Sequence, residues 1–289
     1  MATGLDDAQR GRLEQSCGRR DWIRTGRSRP GLERLEACFA RHAFAPHRHD
    51  TYAIGVTLGG VQAFDYRGAA RRSMSGQAFV LHPDELHDGR AASEAGYRYR
   101  ILYLDPALIG AALDNGRALP FVRVPVSDDR RLLAVIGSAL ADLDLPLEDL
   151  QHDGIVAGLA RALAEADRSV PRRPPSAPDR RAVRRAREHL DAGFTRAVRS
   201  SELEAVTGLG RYALARQFRS CFGTSPYRYL VMRRLDRARA LIAAGSPLCE
   251  AALAAGFADQ SHLTRHFRRA YGLAPGRWAA LAMQRLAAS

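Results

Sequence analysis

Gln260-Ser-His-Leu-Thr-Arg-His-Phe-Arg-Arg-Ala-Tyr-Gly-Leu-Ala-Pro275 is the stretch that decides the fold. Leu263, Phe267 and Ala270/Tyr271 recur at i, i+4 and i+7/8, the spacing of a single buried stripe on a helix. Gln260, Ser261, Thr264, Arg265 and Arg268 therefore share the outward face. Asp259 supplies an N-cap and Gly272 a stop. Forty-nine residues earlier the skeleton repeats: Leu214, Arg216, Phe218, Arg219, Gly223 and Pro226 stand where Leu263, Arg265, Phe267, Arg268, Gly272 and Pro275 stand. The outward face of this earlier copy is Arg211, Tyr212, Ala215, Arg216 and Arg219. Each copy is preceded by a short helix and a tight turn, at Gly208 and at Gly256. This is the layout of a helix-turn-helix, whose second helix enters the DNA major groove. One basic helical face is usually no more than a solvated surface; two in register are not explained that way.

Between the copies, 225–244 forms one amphipathic helix through Tyr229, Leu230, Met232, Leu235, Ala238, Leu241 and Ile242. About 20 residues make a rod of roughly 30 Å, close to the roughly 34 Å of one duplex turn, so it can set two reading helices into successive grooves. Arg can bridge guanine and Gln adenine, whereas Ser, Thr and the more N-terminal Arg residues suit phosphates equally well. The two outward sets differ, so one chain is expected to read an asymmetric site.

Charge agrees with this placement. Residues 179–289 carry 20 Arg against 8 Asp plus Glu, while residues 1–178 carry 24 against 23. The excess lies where phosphates would be neutralised. All 44 basic residues are Arg; the habit extends over the neutral half, so it carries no functional weight. Cys17, Cys38, Cys221 and Cys249 form no C-x-x-C pair, which speaks against a zinc or redox motif and for free thiols. No apolar run approaches the roughly 20 residues of a membrane span, and the first 20 residues lack a signal-peptide core. A cytoplasmic protein is the expectation.

Upstream the texture changes. Residues 1–28 read as a disordered tail. Residues 29–110 hold short strands such as 52–58, 61–66, 77–81 and 97–104, divided by Gly and Pro-Asp turns, pointing to a small β-barrel or sandwich. Residues 127–166 read as a helical pair, with Ser127 or Asp128 as cap and stripes through Leu132, Ile136, Leu140, Leu159 and Leu163. Amphipathicity alone leaves open whether the pair packs on the sheet or forms a homodimer. Residues 167–180, with four prolines, read as a linker, and 181–289 as the helical domain. The fold class is α+β with two domains.

The stretch from Ser200 to Trp278 resembles the AraC/XylS DNA-binding domain. Residues 251–275 fit its signature almost throughout; Gly208-Leu209, Leu214-x-Arg216-x-Phe218 and Gly223-Thr-Ser-Pro226 fit the first half. Gly210 stands where the family pattern has Ser, a loss of at most a few tenths of a kcal/mol, with a somewhat looser first helix. The N-terminal half, with Pro46-His-Arg-His49 and His82-Pro-Asp-Glu-Leu-His87, resembles the cupin-type effector domain that commonly precedes such readers. The resemblance implies a sequence-specific transcriptional regulator, an activator contacting RNA polymerase at promoter or operator DNA, controlled by a small-molecule effector.

His47, His49, His82 and His87 are the candidate effector-binding residues. By the same resemblance, His47, His49 and His87 match three metal ligands of metal-binding cupins in order. No Glu follows His49 closely, which removes the usual fourth ligand. No cofactor and no metal is therefore the expectation. An alternative, a metal-dependent cupin enzyme fused to a DNA reader, would need the complete ligand set; a non-enzymatic regulator is preferred and no catalytic residue is assigned.

Overall fold

Tyr52–Tyr66 is one long strand, and the N-terminal half is organised around the point where it bends. The computed structural model describes residues 21–113, 119–167 and 178–283. Its strands are β1 (Trp22–Thr25), β2 (Leu32–Phe39), β3 (His42–His47), β4 (Tyr52–Tyr66), β5 (Ala69–Met74), β6 (Ala78–Leu81), β7 (His87–Ala91), β8 (Tyr97–Leu104) and β9 (Val126–Ser127). All named pairings are antiparallel. The first half of β4 joins the sheet β1-β2-β8-β4-β6-β9, and its second half pairs with β5 and β7, the latter carrying β3. The register shifts between Thr57 and Gly59. Gly60, at φ +67°, lies so close to the chain at Gly96 that an added Cβ would fall 2.0 Å from its carbonyl oxygen, so only glycine permits this bend.

The strands do not close into a barrel; β1 and β9 remain edges of an open, folded-over sheet. Of the barrel or sandwich expected, a closed barrel does not form, and the reason lies in the core. Phe39, Phe64, Phe79, Tyr97, Tyr99 and Ile101 pack between the layers, but Leu273 and Leu281 from the far end of the chain complete that cluster. The open side is where the C-terminal half docks. The alternation in β8 directs Leu102 and Leu104 to the other face.

That outer face is covered by α1 (Pro106–Leu113), α2 (Arg130–Ala139) and α3 (Asp149–Ala166). Asp129, one residue later than expected, caps α2 by accepting from the backbone of Arg131 and Leu132. Ile136, Leu159 and Leu163 pack on Ile54, Val80, Leu102 and Leu104. The stripe of the helical pair is thus buried within the chain, at roughly 1.5–3 kcal/mol per large aliphatic side chain. Buried Arg34 fastens the end of this layer, donating to the carbonyls of Asp142 and Leu145 at 2.8 and 2.7 Å.

Two expectations need amending. Trp22–Thr25 belongs to β1, paired with β2, because Ile23 buries itself in the inner core; the rest of the expected tail to residue 20 lies outside the described residues, as does 168–177 of the expected linker. Cys38 is disulfide-bonded, so the reading of four free thiols fails, while Cys221 and Cys249 are free.

The C-terminal half comprises α4 (Arg180–Gly193), α5 (Ser200–Thr207), α6 (Arg211–Phe222), α7 (Pro226–Ala243), α8 (Leu248–Ala254), α9 (Gln260–Tyr271) and α10 (Pro275–Met283). It has two cores. Val183, Leu190, Leu203, Leu214, Phe218 and Tyr229 make the first; Leu235, Ile242, Ala251, Phe257, Leu263 and Phe267 make the second. Helix α7 contributes to both, so the helix expected to be a spacer is also the shared wall.

Candidate functional site: two reading helices and an interdomain cavity

On α6 the buried stripe is Leu214, Phe218 and Phe222; on α9 it is Leu263, Phe267 and Ala270. Arg211, Tyr212, Arg216 and Arg219 are exposed on the first helix and Ala215 half-buried; Gln260, Ser261, Arg265 and Arg268 are exposed on the second and Thr264 half-buried. The second set, with Arg269, lines one shallow surface groove. The structure thus brings each sequence-derived set together on a single face. Helix α7 between them has 18 residues, about 27 Å at 1.5 Å per residue. Gly210 gives α6 no side-chain cap, yet Glu204 Oε1 accepts from Arg211 N at 2.8 Å. The expected looseness at the start of α6 is thereby offset from the preceding helix. Asp259 caps α9, accepting from His262 N at 2.7 Å.

A cavity of about 580 Å³ lies between the β layers and α4, α7 and α9–α10. His47, His49 and His87 line it; His82 does not. His82 is used structurally, accepting from Val122 N at 2.9 Å through Nε2 and meeting the Tyr66 hydroxyl at 2.7 Å through Nδ1. Among the three lining imidazoles, ring centroids are 4.2 Å apart for His47–His87, 4.8 Å for His49–His87 and 6.2 Å for His47–His49. They form a compact triangle with His87 at its corner.

In each, Nδ1 faces a backbone carbonyl: Ala45 for His47, Thr51 for His49, Glu85 for His87. A carbonyl only accepts, so Nδ1 carries the proton and Nε2 presents a lone pair. Burial holds all three rings well below the usual imidazole range, with His87 down to about 4, and proximity to His87 lowers His47 and His49 further. They are neutral acceptors. As a metal site they do not fit. Among the described residues no group of three or more His, Cys, Asp or Glu is set to hold an ion.

Asp50, next in the chain to His49, is pushed up to about 6 by burial, opposed by Arg233, its partner at 3.2 Å. That pair introduces a pattern the sequence did not reveal. Among the described residues six ion pairs cross between the halves, and in each the acid is N-terminal and the base C-terminal: Arg187–Asp105, Arg219–Asp84, Arg228–Asp84, Arg233–Asp50, Arg239–Glu33 and Arg277–Asp21. The partners stand up to 256 residues apart, so no local motif could have paired them.

Both reading helices end against the β domain. Gly223 closes α6 at φ +71°, where an added Cβ would meet Pro83 Cβ at 2.7 Å; Gly272 closes α9 at φ +67°, where it would meet Ala45 O at 2.7 Å and His47 Nδ1 at 2.9 Å. These glycines occupy the same position in the 49-residue repeat. Behind Pro83, Asp84 adopts φ +62° and donates its N–H to His49 O at 2.7 Å while its carboxylate holds Arg219 at 2.9 Å and Arg228 at 2.8 Å. Ala45 N donates to Gly272 O at 3.1 Å. Helix α9 therefore abuts a cavity histidine directly, and α6 reaches one through Asp84.

Sequence comparison matches residues 29–164 to the family described as AraC-like ligand binding domain and residues 203–280 to a helix-turn-helix domain. A probable transcriptional regulator, LumQ of Photobacterium leiognathi, is 33% identical over 91 residues, 31% of this chain and 37% of that protein. The HTH-type transcriptional regulator YbfI of Bacillus subtilis is 24% identical over 225 residues, 76% of this chain and 81% of its own. In structure the chain is similar to ToxT from Vibrio cholerae, with a TM-score of 0.63 at 12% identity over 87% of this chain and 99% of that one. It is also similar to ToxT with an unsaturated fatty acid bound, with a TM-score of 0.62 at 14% identity over 91% and 95%.

Proposed function

This chain belongs to the AraC/XylS family of transcriptional regulators, and we propose that it switches promoter recognition in response to a small molecule held between its two halves. Gln260, Arg265 and Arg216 read base edges; Ser261, Thr264, Arg211, Arg219 and Arg268 position the phosphates. His47, His49 and His87 form the wall of the effector cavity, and His82 acts only as structural support. Without effector, Asp84 occupies Arg219 and Arg228, and both reading helices stay fastened to the β domain. An effector that binds better when these contacts are rearranged shifts the population toward the DNA-competent state.

The observation that carries this reading is the fastening of both reading helices beside cavity histidines, α9 by Gly272 against His47 and α6 by Arg219 on Asp84, whose N–H donates to His49 O. That ToxT has been described with a fatty acid bound lends support to a small-molecule effector here. Activation through RNA polymerase and a cytoplasmic location belong to the same reading; among the described residues no helix is long and apolar enough to cross a membrane. Footprinting of the full-length protein on selected DNA tests the proposal: protection of two non-identical major-groove elements about 10 base pairs apart is expected. A single element, or a palindrome, contradicts it.

A further inference from the structure

The chemistry of the cavity wall limits what can occupy it. Six carboxylates (Glu33, Asp50, Asp88, Asp105, Asp191 and Asp236) line it against four guanidiniums, those of Arg29, Arg187, Arg233 and Arg239. Every one of the four is already ion-paired: Arg29 with Asp149, Arg187 with Asp105, Arg233 with Asp50 and Asp236, Arg239 with Glu33. An incoming carboxylate would find no unpaired cation in the lining and would enter a wall of net negative charge.

The polar atoms without partners tell the same story. His49 Nε2, Asp50 Oδ1 and Gln62 Oε1 are buried, lack any hydrogen bond, and belong to residues that line the cavity. All three are acceptors. Their side chains are more than nine-tenths buried, and a buried acceptor left unmade costs about 1–3 kcal/mol, so the cavity gains when a donor arrives. Arg29 Nε and Arg233 Nε are the unpartnered donors of the lining; since both guanidiniums are ion-paired, they offer a hydrogen bond but no surplus charge. Around this polar patch the wall is aromatic and aliphatic, including Phe44, Phe79, Tyr99, Leu35 and Ile101.

We infer that the cavity takes a small organic molecule with an apolar body and several N–H or O–H donors and no negative charge: an amine or a polyol, in contrast to the fatty acid bound by ToxT. This rests on the reading of the cavity as the effector site. Asp50, Gln62 and His49 receive the donors, the ammonium or hydroxyl hydrogens filling acceptors that the folded protein leaves empty. The apolar body lies against Phe44 and Phe79.

Three probes with the same eight-carbon body separate the possibilities on the full chain: octylamine, octane-1,2-diol and octanoate, read by thermal shift at millimolar concentration. The expected order is octylamine, then the diol, then octanoate, with the leading shift on the order of a few degrees. Gln62→Leu, which keeps volume and removes an acceptor, reduces the shifts of the amine and the diol; Asp50→Asn abolishes the advantage of the amine over the diol, Arg233 retaining Asp236. A larger shift with octanoate than with either donor compound overturns the inference. So does the absence of a shift with both donor compounds, or a shift indifferent to both substitutions. The effector reading fails separately, if the amine or diol binds with the expected dependence on Gln62 and Asp50 but leaves DNA affinity unchanged.

Discussion

Gly223 and Gly272 hold the same place in the two halves of the repeat, and both abut the β domain, but they meet different things. Gly223 faces the ring of Pro83, with Arg219 and Arg228 beside it on the carboxylate of Asp84. Gly272 faces a backbone carbonyl and the imidazole of His47, and its own carbonyl is bonded to Ala45. The first reading unit is held mainly by charge at a rim, the second by backbone at the cavity wall. A charge contact with an exposed arginine is worth little singly and weakens with salt; close backbone packing has no such softness. The second unit should therefore follow the state of the cavity, while the first can exchange Asp84 for a phosphate when DNA arrives.

The largest test of this difference is steric. Alanine in the left-handed region costs about 1–2 kcal/mol at either position. At Gly272 the colliding atoms are backbone and a hydrogen-bonded ring, which cannot yield, whereas Pro83 is a side chain on a loop. Gly272→Ala should lower unfolding free energy by roughly 2–4 kcal/mol and Gly223→Ala by roughly 1–2 kcal/mol, measured by denaturant titration; equal losses would remove the distinction. Next, Arg265→Ala and Arg216→Ala should each relax base preference in a different half of the site by about 1–3 kcal/mol, seen by selection on randomised DNA. A uniform loss over all sequences would make them phosphate contacts. Smaller still are the caps: Glu204→Ala on α6 and Asp259→Ala on α9 should each cost about 1 kcal/mol, although the first cap comes from another helix.

Acid should loosen the second unit before the first. His87 titrates at about 4 in the folded chain against an ordinary 6.5, and His47 and His49 are lowered in the same direction. A lowered imidazole contributes stability that is complete above about 6.5 and is lost as pH falls toward 4, because the opened state takes the proton first. Asp50, raised to about 6 from 3.8, works oppositely: its burial is unfavourable above about 6 and is relieved on acidification. With His82 and His266 also lowered, to about 3 and about 4, five imidazoles against this one raised carboxyl give a net fall in Tm between pH 7 and pH 5. His87→Gln should flatten that fall in part, and an unchanged slope in this variant would exclude His87 as a contributor.

Much of the reading half was legible in the sequence because its information is periodic. Leu214, Phe218, Leu263 and Phe267 recur at helical spacing, and an offset of 49 then assigns every outward residue. The cavity was legible only in part. His47, His49 and His87 stood out as an unusual cluster, but His82, equally conspicuous in the sequence, is engaged by Tyr66 and Val122 instead. Asp84 and Gly272 gave no sign of their roles, since these depend on contacts across the two halves. Strand spacing left barrel and sandwich both open for a related reason: Leu273 and Leu281, which complete the core on the open side of the sheet, belong to the other end of the chain.

The central claim is that the β domain holds the reading helices in competition with DNA, and Asp84→Asn tests it most directly. Asparagine tolerates φ +62° as aspartate does, so the substitution removes charge and little else. In the full-length protein, titration of operator DNA over a range of salt concentrations should give tighter binding, about fivefold or ~1 kcal/mol, with a salt slope steeper by about one phosphate contact. Unchanged or weaker binding with the same slope would contradict it.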